Sequence, residues 1–257
     1  MSQPKYKMLG FSRMRALIAA YFVVVLSVLA VAPDGAAQTA EESDVAVLDH
    51  ILNKTFPRGW APEDLSQLRA VRDHCRAEPS RSLPALLEGL HKLNAAERGF
   101  AERKQGALLE YSVDHKRDLL LKTNVMFVVA GCYTAGSPEQ RKQTLAEFSE
   151  SLTAVTVAAD MDSYVSWAVF SIGPDAMPIA LTWAASEDDR ARCHTQSSLN
   201  SVGEKAKSGP PKLDCHASRA QQQIRLQNWV RWWESRNDKA ALLQTPSFID
   251  EGKTTNY

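Results

Sequence analysis

Charge of one sign is what this sequence most lacks: 30 Lys and Arg stand against 30 Asp and Glu. A balanced chain offers no field that would gather a nucleic acid or an anionic membrane, so neither is an expected partner. Catalytic signatures are missing too. There is no Gly-x-Ser-x-Gly elbow, no glycine loop that could cradle a phosphate, no His-Glu-x-x-His metal helix and no Cys-x-x-Cys pair. No segment combines alternating polarity with β-branched enrichment and hairpin turn residues, which excludes a sheet. Beyond residue 32 there is no long hydrophobic run. The most apolar stretch, Leu119 to Ala130, is 12 residues, too short to cross a bilayer as a helix but suited to one enclosed on most sides. These absences predict an all-α, non-enzymatic protein with no catalytic residues, no metal and no cofactor.

What is present begins at the N-terminus. Lys5, Lys7, Arg13 and Arg15 precede an apolar run from Ala16 to Ala32, which Pro33-Asp34-Gly35 breaks. Gly35 and Ala37 supply the small residues that a signal peptidase requires, giving a signal peptide over 1–37. The run of 17 residues is also just long enough for an uncleaved anchor, which would make 16–32 the one membrane contact. No cysteine lies near this exit and Arg13 and Arg15 are not adjacent, which argues against a lipoprotein or a twin-arginine signal. Without residues 1–37, which carry four Lys or Arg and one Asp, 26 basic residues face 29 acidic ones. The expected location is periplasmic or extracellular.

One pattern is written twice between Asp162 and Gly203. Val165, Ala168, Val169 and Ile172 lie at i, i+3, i+4 and i+7 and run into Gly173; Thr195, Ser198, Leu199 and Val202 repeat the phase and run into Gly203. Between them, Pro174 restarts the chain and Met177, Ala180, Leu181 and Ala184 form a third stripe. Each stripe is the narrow apolar edge of a helix, and the two copies are stopped by glycine. No such helix can bury its edge alone, so helical hairpins stacked on their neighbours are expected. Leu83-Pro84-Ala85-Leu86 echoes Met177-Pro178-Ile179-Ala180, placing an earlier hairpin at 62–94.

Ile172-Gly173-Pro174-Asp175-Ala176-Met177-Pro178, then Asp188-Asp189, Arg192 and Leu199-Asn200-Ser201-Val202-Gly203, resemble bacterial HEAT-type α-solenoid repeats. The Trp229-Val230-Arg231-Trp232-Trp233-Glu234 segment is similar to the terminal helix that often follows them. The resemblance covers about 160–235. It departs from the pattern at Asp162, where the first copy should carry Arg, and finds no clean repeat over 95–160. It implies a solenoid-like stack of antiparallel hairpins, capped by the Trp-rich helix, that binds another protein or peptide. Trp167, Trp183, Arg192 and Trp232 are the candidate binding residues. An Asp before the helix and an Arg within it imply a cap and a ladder between repeats rather than a base and its carboxylate, which would otherwise join His194 to Asp188 or Asp189.

Export would place the four cysteines in an oxidising compartment, where they pair. Cys193 and Cys215 flank the Gly209-Pro210-Pro211 loop at the starts of two helices, which favours 193–215 and leaves 75–132; three pairings are formally open. His74-Cys75, Cys193-His194 and Cys215-His216 suggest the alternative of a metal-binding or enzymatic protein. Adjacent helical residues point about 100° apart, so each pair could offer one ligand only.

The remaining segments are read in order. Residues 38–60 form a linker and short helix with Val47, Leu48 and Ile51, and 61–245 is the helical domain. A helix from Pro62 buries Leu65, Leu68, Val71 and Cys75. The next buries Leu83, Leu86, Leu87 and Leu90, with Pro84 in its first turn. Ala95 to Lys116 reads as an exposed helix or connection. Ser137 and Pro138 start a helix with Leu145, Phe148, Leu152 and Val155 in phase. A long helix is expected from about Cys215 to Arg236, and 246–257 as a disordered tail.

Overall fold

A computed structural model describes residues 43–55, 62–103, 113–153, 156, 162–206 and 208–243. The expected signal or anchor segment and the C-terminal tail lie outside the described residues, as do Val155 and 104–112. The described residues belong to one packed unit, 42–257. Among them every regular element is helical: α1 (Asp44–Thr55), α2 (Pro62–Ala77), α3 (Pro79–Arg103), α4 (Val113–Cys132), α5 (Pro138–Ser149), α6 (Asp162–Phe170), α7 (Met177–Ala184), α8 (Asp189–Glu204), α9 (Arg219–Glu234) and α10 (Lys239–Leu242). Single 3₁₀ turns at Tyr133–Ala135 and Pro174–Ala176 precede α5 and α7. None of these helices is long and apolar enough to cross a membrane.

α4 is the centre of the first core. Every residue from Leu119 to Ala130 is buried, and the helix packs against α1, α2, α3 and α6. α2 and α3 bring Leu65, Leu68, Leu83, Leu86 and Leu90 against it. The start of α5 follows directly from its sequence. Ser137 Oγ accepts from the Gln140 amide while the Gln140 side chain accepts from the Ser137 amide, and Pro138 fills the first helical position. The second core joins Phe170, Met177, Ala180, Leu199 and Val202 to Trp229 and Trp233 of α9. α7 lies between α8 and α9 in this arrangement, and α6 contacts both α7 and α8.

Both expected disulfides are present. Cys75 pairs with Cys132 and Cys193 with Cys215, with Cα atoms 5.9 and 5.0 Å apart. Each stabilises by about 2–4 kcal/mol, chiefly by restricting the unfolded chain. Two such bridges are compatible with an oxidising compartment.

Several boundaries differ from the sequence reading. α3 begins at Pro79, so Pro84 is inside the helix rather than in its first turn. α3 also continues to Arg103, where Glu97 and Phe100 are buried, so this part of the charged stretch is not a solvated face. Tertiary burial outweighed its lack of apolar phase. α5 ends at Ser149, leaving Leu152 off the helical stripe. α9 begins at Arg219 behind a Ser218 cap, so Cys215 sits in the turn before it. The two closing glycines also diverge. Gly173 has φ 93°, a conformation open to glycine and strained for other residues. Gly203 lies within α8, where a Cβ would stand 3.0 Å from Pro210 Cδ; close approach of the 208–211 loop, not chain reversal, requires glycine there.

Candidate binding cleft

α6 and α8 lie side by side, and their facing residues leave a cleft of about 310 Å³, open to solvent on one side. Trp167, Phe170, Val202 and Leu243 give it apolar walls, and Ser163, Ser198, Ser201, His194 and Lys205 contribute polar groups. Ser166 also lines it. This side chain is 2% exposed, and its Oγ has no hydrogen-bond partner among the described residues. A buried hydroxyl left unpaired costs about 1–3 kcal/mol. The hydroxyls of Ser198 and Ser201 donate to carbonyls one turn back, at His194 and Ser197, and keep their acceptor sites. The cleft volume is at the small end of the range for ligand sites, enough for one large apolar group.

A second polar centre lies inside the first core. Lys122 is fully buried on α4, and its ammonium donates to Glu97 Oε2 at 2.7 Å, the Ser151 carbonyl at 2.7 Å and Thr156 Oγ1 at 3.0 Å. Thr153 Oγ1 donates to the same carboxylate oxygen at 2.7 Å. Burial pushes the Lys122 pKa below its usual value, and the Glu97 carboxylate pulls it partly back. With all three ammonium donors matched, this network pins the chain after α5 to α3 and α4. Its geometry is that of a clamp.

Of the four candidate binding residues, only Trp167 reaches the cleft. It is half-buried, edge-on to Phe127 with ring centroids 5.6 Å apart. Trp183 is 6% exposed and donates its Nε1 proton to the Ser149 carbonyl, so it joins α7 to the end of α5 instead of forming an open surface. Arg192 is 4% exposed. Its guanidinium donates to the Ser186, Glu187 and Cys215 carbonyls and pairs with the Asp189 carboxylate. Trp232 is half-buried; it donates to the Ser208 carbonyl at 2.7 Å, meets Trp229 edge-on and carries the Arg236 guanidinium over its ring. Trp183 and Arg192 are therefore corrected from surface to interior. The two aspartates considered as partners of His194 are engaged elsewhere: Asp188 accepts from the Ala191 amide as the α8 cap, and Asp189 pairs with Arg192.

Ser166 and the Lys122 network went unnoticed in the sequence. The signal for the second was the polar triplet Lys122-Thr123-Asn124 interrupting the longest apolar run of the described chain. Ser166 had a fainter one, as a polar residue beside the Val165 stripe. Comparison with known proteins gave no match: no family model, no curated relative and no solved structure is significantly similar to this chain.

Proposed function

We propose that this protein is an exported, non-enzymatic helical module that binds a polypeptide by taking one apolar side chain into the cleft between α6 and α8. The observation that carries this reading is the open cleft itself, where Trp167, Phe170, Val202 and Leu243 stand beside the polar side chains of Ser198, Ser201, His194 and Lys205. Apolar walls flanked by hydrogen-bonding groups suit one residue of a polypeptide, which presents an apolar side chain beside its amide. Magnitude favours a polypeptide over a small free ligand. Fully burying one large apolar side chain is worth about 1.5–3 kcal/mol. A millimolar complex already needs about 4 kcal/mol. The remainder has to come from a chain that continues past the open side of the cleft.

The finer architecture proposed with it is a stack of antiparallel hairpins related to HEAT-type repeats and closed by the Trp-rich α9. Its support is the pairing of α7 with α8 and of α7 with α9, together with the Asp188 cap. Export rests on the N-terminal charge and apolar pattern and on the two disulfides.

A photo-crosslinking residue placed at Ser201 of the exported protein tests the reading. The expected product is an adduct with a polypeptide, crosslinked beside an apolar residue and lost when Ser166→Leu fills the cleft. Adducts that survive filling, or adducts with lipids or small metabolites alone, would overturn it.

A further inference from the structure

The Cys193–Cys215 corner differs from the rest of the molecule in what surrounds its sulfurs. Both cysteines are partly exposed, whereas Cys75 and Cys132 are each 0% exposed. One ring nitrogen of His216 lies within 4.8 Å of both Cys193 and Cys215 sulfurs. The imidazole itself is exposed. Three soft or borderline donors therefore meet at one exposed point.

The positions of these donors do not depend on the sulfur–sulfur bond alone. Cys193 is on the second turn of α8, a regular helix capped by Asp188. The Cys215 carbonyl accepts from Gln222 Nε2 at 2.9 Å and from Arg192 Nη2 at 3.5 Å, so it is tied to both α9 and α8. The His216 amide donates to Asp214 Oδ1 at 3.0 Å, and Gln222 Nε2 donates also to the Ala217 carbonyl. Arg219 adds contacts from α9 to the Ser186 and Glu187 carbonyls. Opening the disulfide would leave these ties in place.

We infer that reduction of Cys193–Cys215 converts this corner into a site for a zinc-type divalent cation, with the Cys193 and Cys215 thiolates and the His216 imidazole as ligands. The reductant is a dithiol. Its two thiols give two electrons and two protons to the protein disulfide and leave as a disulfide of their own, while Cys193 and Cys215 become thiols. Each thiol then loses its proton as the cation binds, so one cation displaces two protons. Zinc takes sulfur at about 2.3 Å and imidazole nitrogen at about 2.0–2.1 Å in tetrahedral sites, which places ligand atoms roughly 3.5–3.8 Å apart. The three donors are already gathered within 4.8 Å, so adjustments of about an ångström complete the set, with water in the fourth position. The buried pair Cys75–Cys132 is shielded from the dithiol, which makes the conversion local. The inference is independent of the α6–α8 cleft, since no residue is shared between them.

The test uses the full chain and cobalt(II) as a spectroscopic probe. Limited dithiol treatment, followed by alkylation and peptide mass analysis, should show Cys193 and Cys215 opened and Cys75–Cys132 intact. The reduced chain should bind one cobalt ion with thiolate-to-metal charge-transfer bands and yield that ion to zinc. The oxidised chain should show neither the bands nor the stoichiometry, and His216→Ala should lose the one-to-one binding after reduction. Circular dichroism covers the case in which reduction loosens α8 or α9: cobalt must then restore helix and bands together. Absence of bands in the reduced chain, equal binding by the oxidised chain, or unchanged binding by His216→Ala would each overturn the inference.

Discussion

Around α4 the packing is closed on all described sides, while the helices beyond Phe170 bury one edge and leave another to solvent. In the first core burial encloses even an ion pair, Lys122 with Glu97, and the disulfide there has no exposed sulfur. In the second, one disulfide is partly exposed, α6 and α8 leave a cleft, and Trp229 packs against Trp232 and Trp233. The difference teaches where each region commits its polar groups. The first encloses an ion pair together with its hydrogen-bonding partners; the second leaves Ser198, Ser201 and a disulfide within reach of solvent. Under the proposed function, stability and recognition would be separated along one chain.

The sharpest way to break that comparison is Leu199→Asp. Leu199 is 0% exposed in the second core, and a charge there should cost more than about 4 kcal/mol. Hydrogen exchange followed by mass spectrometry should show α7, α8 and α9 losing protection while α2 to α4 keep theirs. Uniform loss would mean that the two cores unfold as one, and an unchanged melting temperature would mean that the helical register is misassigned.

Lys122→Met probes the first core and should cost about 3–5 kcal/mol, because it strands the Glu97 carboxylate in the interior. Adding Glu97→Gln should recover most of that loss in urea titration; no recovery would refute the clamp. The pair also carries a pH signature. Because the Lys122 pKa is lowered in the folded state, the unfolded chain holds a proton that the folded chain has shed across the window between the two values. Unfolding then takes up a proton, so wild-type stability should rise with pH through that window, which ends at the ordinary lysine value, relative to the double variant.

Gly173 lies between Ile172 of the first core and α7, which contributes side chains to both cores. Gly173→Ala has open space for its methyl group and is penalised only by its backbone conformation, at about 1–3 kcal/mol. Both cores should lose protection together, since the strain falls on their shared connection. The smallest effect is expected from Ser137→Ala, about 1 kcal/mol from the lost α5 cap. A thermal melt would register it, and a shift as large as that of Lys122→Met would contradict its assignment as a local cap.

Much of this division was readable in the residues. Helix identity followed from the 3.6-residue phase of Val165, Ala168 and Val169 and of Leu65, Leu68 and Val71, because period alone decides which side of a helix can be buried. The Ser137-Pro138 start was legible because a cap is satisfied by neighbours in sequence. The disulfide pairing was partly legible, since a short loop brings Cys193 and Cys215 together. The cleft was not. Ser166, His194, Ser201, Lys205 and Leu243 meet only when α6 and α8 are set side by side, and no local pattern marks that approach.

Sequence by itself determined the helical character, most apolar edges and the ends that carry their own caps, because these depend on residues within one or two turns of each other. Tertiary structure alone decided that Glu97 is buried against Lys122, that Trp183 and Arg192 face inward, and that Trp167 reaches an open cleft. Those outcomes depend on which surfaces distant segments present to one another, and burial energy, summed over the whole packed unit, overrides the preference of any single side chain for water.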